Sequence, residues 1–140
     1  MSYLLDTNVI SEWTRPRPDA GVVAWLAAAD EDSLYLSVLA FAEIRLGIER
    51  LSPGAKRDRL TTWLDQELAE RFEGRIIAID RRIAEAWGQV VARGRAAGRP
   101  PPVLEAFLAA TALVHELTVV TRNERDLGGL EIPVLNPWRA

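Results

Sequence analysis

Cysteine is absent from the 140 residues, which excludes thiol nucleophiles, disulfide staples and thiolate metal sites. That absence suits a reducing compartment. Lysine occurs once, at Lys56, and histidine once, at His115, so nearly all the positive charge is arginine. No apolar run approaches the roughly 20 residues that span a bilayer. The N-terminus has no basic segment followed by an apolar core, and Asp6 arrives early, which argues against a signal peptide. A soluble, cytoplasmic protein is the expectation. There is no basic excess either: the formal net charge is -3 and the pI about 5.2, so bulk charge gives no support to a protein that holds nucleic acid by neutralising phosphates alone. Acid gathered in one site fits the same numbers. The length suits one domain, residues 1–140, able to bury a core without staples.

Short aliphatic or β-branched runs, "SYLL", "SLYLS", "RIIAI", "LTVVT" and "IPVL", alternate with longer stretches of helical period. This alternation predicts an α/β layer fold, a mainly parallel central sheet with helices on both faces. Helices are expected at about 19–29, from 38 to 51 with Ser37 as cap, from Pro53 to about 72, from Asp80 to Ala97, and over 103–116 with a proline just inside its start. In such folds the ligand site lies beyond the carboxyl ends of the strands, where strand order reverses. Asp6 directly follows the first strand and so points into that crevice.

Two further acids are out of place. Asp65 and Glu85 lie on ordinary wet helix faces, near Thr61, Thr62, Arg81 and Arg82. Glu43 instead lies between Leu39 and Ala40 on one side and Leu46 and Gly47 on the other, and Glu105 faces Leu108 and Ala109. Each one alone reads most simply as an edge residue paired with an arginine. Three such acids from separate elements point elsewhere: if they converge they require a cation, and an all-oxygen site selects Mg²⁺ or Mn²⁺. His115 reads as a surface or helix-end residue. In "VVTRNERDL", residues 119–127, either Asn123 caps a short helical turn with Asp126 in its first turn, or else Asn123 or Asp126 lies at the same crevice, with Arg122 meeting a phosphate oxygen. Local chemistry leaves both readings open.

The motifs "LLDTNVIS", "LAFAEIRLGIERL", "PPVLEAFLAATALVHELTVVTRNERDL" and "VLNPW", in this order along essentially the whole chain, resemble a PIN-domain ribonuclease. They look most like VapC-type toxins of bacterial type II toxin-antitoxin modules, including the FitB-like branch. The resemblance implies a Rossmann-like sheet and metal-dependent cleavage of RNA. Carried over, the family's first acid matches Asp6 and its second Glu43. The third falls on Glu105, where the family pattern usually has aspartate. For the fourth, some members place an aspartate where this chain has Asn123, while others use the acid three residues on, here Asp126; Asp126 is favoured, with Asn123, Thr7 and Asn8 as supporting neighbours. The glutamate at 105 carries its oxygens outward by on the order of 1.5 Å, a displacement that can cost roughly 10²-fold in rate. The resemblance also implies a cognate antitoxin covering the site and a homodimer.

The expected chemistry is hydrolysis of an RNA phosphodiester with Mg²⁺ or Mn²⁺ held by Asp6, Glu43, Glu105 and Asp126. A helix N-terminus near Glu105 is expected to favour its ionised form. Arg93, Arg95 and Arg99, with Arg122, are the candidate RNA contacts; any one of the first three also reads as a solvated helix-end arginine. A receiver domain or a haloacid-dehalogenase-like phosphatase needs a lysine after a later strand, and Lys56 lies in a helix region. A P-loop or dinucleotide site needs a glycine-rich loop after the first strand, and none is present. The remaining rival is a catalytically weakened PIN-like binding protein disabled by Glu105. Trp13, Trp25, Trp63 and Trp87 read as core, or as anchors for an antitoxin segment.

Overall fold

The computed structural model describes residues 1–127 and 129–139. Strand β1 (Tyr3–Leu5) lies at the centre of a five-stranded sheet. On one side it pairs with β2 (Leu34–Ser37), which pairs with β3 (Ile76–Ile77). On the other it pairs with β4 (Thr118–Val120), which pairs with β5 (Val134–Leu135). The order is β3-β2-β1-β4-β5 and every pairing is parallel. All five strands fall on the aliphatic runs expected to form them.

The strands are apolar on both faces because helices cover both. Side-chain alternation separates the two layers. Leu5, Leu34, Leu36 and Val120 join one core with residues of α1 (Thr7–Ile10), α2 (Ala20–Ala28) and α3 (Val38–Glu49). The same core takes Leu64 and Leu68 from the helical run of α4 (Ala55–Thr62), a wider π-type stretch at Trp63–Leu68 and α5 (Ala69–Arg71). Leu4 and Val119 face the other core, built by α6 (Arg81–Ala96), α7 (Val103–His115) and Leu127 of α8 (Glu124–Leu127). Trp13, Trp25 and Trp63 lean on the first core and Trp87 on the second.

Helix starts follow side-chain capping. Asp19, Ser37 and Asp80 accept from the backbone N–H groups of Val22, Leu39 and Ile83 at 3.1, 3.1 and 3.0 Å. Two expectations need correction. The helix from Pro53 is not uniform, since it widens at Trp63–Leu68. The proline before α7 is not inside it: Pro102 is the capping residue, in extended conformation with φ -59° and ψ 151°.

The α6–α7 turn is tight because Gly94 has no side chain. Its carbonyl accepts from the N–H of Arg99 at 2.8 Å. A Cβ on Gly94 would lie 2.5 Å from Pro101 Cδ and 2.8 Å from the Arg99 carbonyl oxygen. Gly98, at φ +74°, takes the left-handed step that ends α6. Gly94→Ala is therefore expected to destabilise the protein by about 1–3 kcal/mol through overpacking, read as a lower denaturation midpoint in urea.

Candidate active site

The chain leaves β1 for β2 on one side, and β4 lies on the other, so strand order reverses between the carboxyl ends of β1 and β4. Asp6 is the first residue past β1 and Thr121 the first past β4. Asp6 N–H continues the ladder to the Val120 carbonyl at 2.9 Å. Its carboxylate caps α1, accepting from Thr7 N–H at 2.7 Å. The other oxygen accepts from the Thr121 hydroxyl at 2.7 Å and from Asn8 Nδ2 at 3.4 Å.

Asp6, Glu43 and Glu105 line one crevice, with Leu5, Thr7, Ser37, Ala40 and Leu108 among its walls. Its free volume of about 20 Å³ holds a single water-sized body. Glu43, in the second turn of α3, accepts from the Thr7 hydroxyl at 3.0 Å. Glu105 enters from the first turn of α7. That turn is held from outside by Trp87, whose ring stacks on Phe107 at 5.2 Å and whose indole N–H donates to the Val103 carbonyl at 3.3 Å.

Burial is the largest influence on all three acids, and it raises each carboxyl above its ordinary value. The Thr121 and Thr7 donors oppose this at Asp6, and the Thr7 hydroxyl opposes it at Glu43. The charges of Asp6 and Glu105 raise Glu43 further, and those of Asp6 and Asp126 raise Glu105. A backbone hydrogen bond at the helix start favours the ionised form of Glu105, as expected, but desolvation outweighs it. Among the described residues, no ion pair joins Asp6, Glu43 or Glu105 to an arginine or lysine. The simple reading of these acids as arginine-paired edge residues therefore finds no support.

Asp126 is not in this crevice. It is exposed on α8 and lines an adjoining cleft with Arg93 and Arg99. Arg95 is exposed and lines neither cavity. Arg122 lies over the Trp138 ring at 5.3 Å, while its backbone N–H donates to Asn8 Oδ1 at 3.4 Å. Asn123 meets the group through its backbone, donating to the Thr121 hydroxyl oxygen at 3.0 Å. His115 is exposed in the last turn of α7.

Thr121 was not singled out by the sequence, yet it is fully buried and receives or makes hydrogen bonds with Asp6, Asn8 and Asn123. A threonine ending a β-branched run reads as strand. Thr121→Val is expected to leave Asp6 without its shortest side-chain donor and to raise its carboxyl further. Divalent-metal affinity, measured by titration calorimetry, should fall by roughly 10–100-fold, the effect typical of losing a ligand's hydrogen-bond partner.

In donor chemistry the crevice suits a small hard cation: oxygen donors only, partly desolvated, mutually repelling, and with room for one ion-sized body. Among the described residues, no three acids already converge to ligating distance of one point.

A parallel α/β sheet with three acids at its switch point, none of them in an ion pair among the described residues, defines an open-sheet α/β protein with an acidic crevice. Comparison with known proteins narrows the class. The PIN domain family model matches residues 3–128, and the chain belongs to this family. It is 39% identical over 135 residues to Toxin FitB of Neisseria gonorrhoeae, covering 96% of this chain and 97% of that protein. It is 31% identical to VapC ribonuclease Y4jK of Sinorhizobium fredii, covering 96% of each. The crystal structure of FitAcB from Neisseria gonorrhoeae superimposes with a TM-score of 0.93 at 38% identity, covering 99% of both chains.

Proposed function

We propose that this protein is the toxin of a toxin-antitoxin module and acts as a Mg²⁺- or Mn²⁺-dependent endoribonuclease. The observation that carries this reading is the set of three partly or largely buried acids, from just past β1, from α3 and from α7, lining one crevice without a cationic partner among the described residues. The ribonuclease named among the relatives supplies the substrate class.

Asp6, Glu43 and Glu105 would hold the cation, with Asp126 at the open edge. A bound divalent ion supplies an acidified water and neutralises charge developing on the phosphate. The rest is done by the chain. Thr121, Thr7 and Asn8 fix the carboxylates of Asp6 and Glu43 by hydrogen bonds, so the donors are oriented before any ligand enters. The leucine and alanine walls partly desolvate the acids, which strengthens the electrostatics between them. Arg93, Arg95, Arg99 and Arg122 supply the positive charge that brings RNA to an acidic site in an acidic protein.

FitB is named a toxin, and on that likeness we assign this chain a cognate antitoxin. A homodimer is also proposed, since Val38 and Leu46 on α3 and Val103, Leu104 and Leu113 on α7 are exposed at 40–60%. No helix among the described residues is long and apolar enough to cross a membrane. An RNA substrate places the action in the cytoplasm.

The test is incubation of end-labelled total RNA with the purified protein, with Mn²⁺ or Mg²⁺ and separately with EDTA. Discrete fragments in the metal arms alone are expected. RNA left intact in every arm would overturn the enzymatic reading and leave a binding protein of PIN fold.

A further inference from the structure

We propose that the cleft beside the acidic crevice is a subsite for one unpaired nucleotide of the RNA, preferring bases with an exocyclic amino group over uracil. The proposal rests on the ribonuclease reading. The crevice itself, at about 20 Å³, is too small for any part of a nucleotide beyond a phosphate oxygen. The neighbouring cleft offers about 340 Å³, within the range of small-molecule sites. The two adjoin, because Asp126 lines the cleft and its charge acts on Glu105 in the crevice.

The cleft's chemistry is that of a nucleotide. Arg93 and Arg99 line it from the end of α6 and the turn beyond, and neither forms an ion pair among the described residues. The Arg99 guanidinium reaches to Gly129, with Nη1 3.5 Å from where a Cβ would stand. A free guanidinium fork takes two phosphate oxygens at once. Val90, Pro101 and Leu130 give an apolar wall for a base.

Asp126 and Glu131 line the same cleft. Glu131 holds a left-handed backbone, φ +54°, which a non-glycine residue adopts only where its surroundings fix it. Ionised carboxylates only accept hydrogen bonds. Adenine, cytosine and guanine present an exocyclic amino donor on the edge that proteins read in single-stranded RNA, whereas uracil presents a single imide N–H flanked on both sides by carbonyl oxygens. A carboxylate that meets this N–H is also brought against the flanking carbonyl oxygens, which repel it, so uracil is disfavoured.

The experiment is an NMR titration of the isotope-labelled protein in EDTA with the four nucleoside 5′-monophosphates and with inorganic phosphate. Shifts at Gly94, Arg99 and Leu130 are expected, with the adenosine, cytidine and guanosine nucleotides binding about five- to tenfold more tightly than uridine monophosphate or phosphate. Arg99→Gln and Arg93→Gln should each weaken binding by about tenfold, and Glu131→Gln should narrow the preference over uridine. Equal affinity for phosphate and all four nucleotides, or shifts confined to other surfaces, would overturn the subsite. RNA cleavage is followed separately. Cleavage with a silent cleft removes the subsite alone, whereas selective cleft binding without cleavage removes the ribonuclease reading and leaves the subsite standing.

Discussion

Asp6→Asn is expected to lower metal-dependent RNA cleavage by more than about 10²-fold, beyond the loss typical of a ligand's hydrogen-bond partner. Asp6 is the most deeply buried of the three crevice acids and accepts from Thr7, Thr121 and Asn8. The amide keeps the shape but removes a charge that no neighbouring group replaces. Stability should move oppositely. Asp6, Glu43 and Glu105 have folded-state values raised above their unfolded ones. Their contribution to stability is fully present below the unfolded value, near pH 4, and is lost as pH rises through the folded one. Asp6→Asn removes one share of that loss. In EDTA, the melting temperature of the variant relative to the parent should therefore rise from pH 4 to neutrality. Added Mg²⁺ should stabilise the parent more than the variant. A variant that still cleaves RNA at the parental rate would remove Asp6 from the chemistry.

Shortening Glu105 is the second large effect. Glu105→Asp withdraws the carboxylate by on the order of 1.5 Å from a crevice it already lines, and a misplacement of that size costs roughly 10²-fold in rate. Glu105→Gln, which keeps the reach and loses the charge, should cost at least as much. Two features of the structure favour a loss over a gain. Glu105 is near enough to Asp6 and Asp126 for both charges to act on it, and the Trp87 clamp fixes its helical turn through Val103 and Phe107. Increased cleavage by Glu105→Asp would instead mark the parent as a nuclease weakened at this residue. Single-turnover cleavage assays of the parent and both variants separate these outcomes.

The five strands and the parallel sheet were legible because short aliphatic runs separated by helical periods have few alternative arrangements. Glu43 and Glu105 stood out for a local reason, since each lies on an apolar helical stripe where a charge is costly. Asp6 stood out because it ends such a run. Thr121 was not legible: its partners Asp6 and Asn8 are 115 and 113 residues away, and no periodicity encodes such a meeting. Asp126 shows the limit from the other side. The family resemblance favours it as a fourth crevice acid, but on α8 it lines the arginine-lined cleft instead. The α1 helix and the 3₁₀ turn at Ser11–Thr14 were also unseen, as was the burial of Glu12, 3% exposed with one oxygen lacking a hydrogen-bond partner.

The central place of β1 has a consequence for synthesis. Strand β1 is made before the other four of its sheet and is flanked by β2 and β4, so one side of it stays unpaired until residues 118–121 are available. Only then does Thr121 reach Asp6. Pairing across such a separation in sequence comes late in folding, and a growing chain still on the ribosome holds Asp6 and Glu43 without the partners that complete their crevice. Whatever harm this crevice can do begins only once nearly all of these residues have emerged.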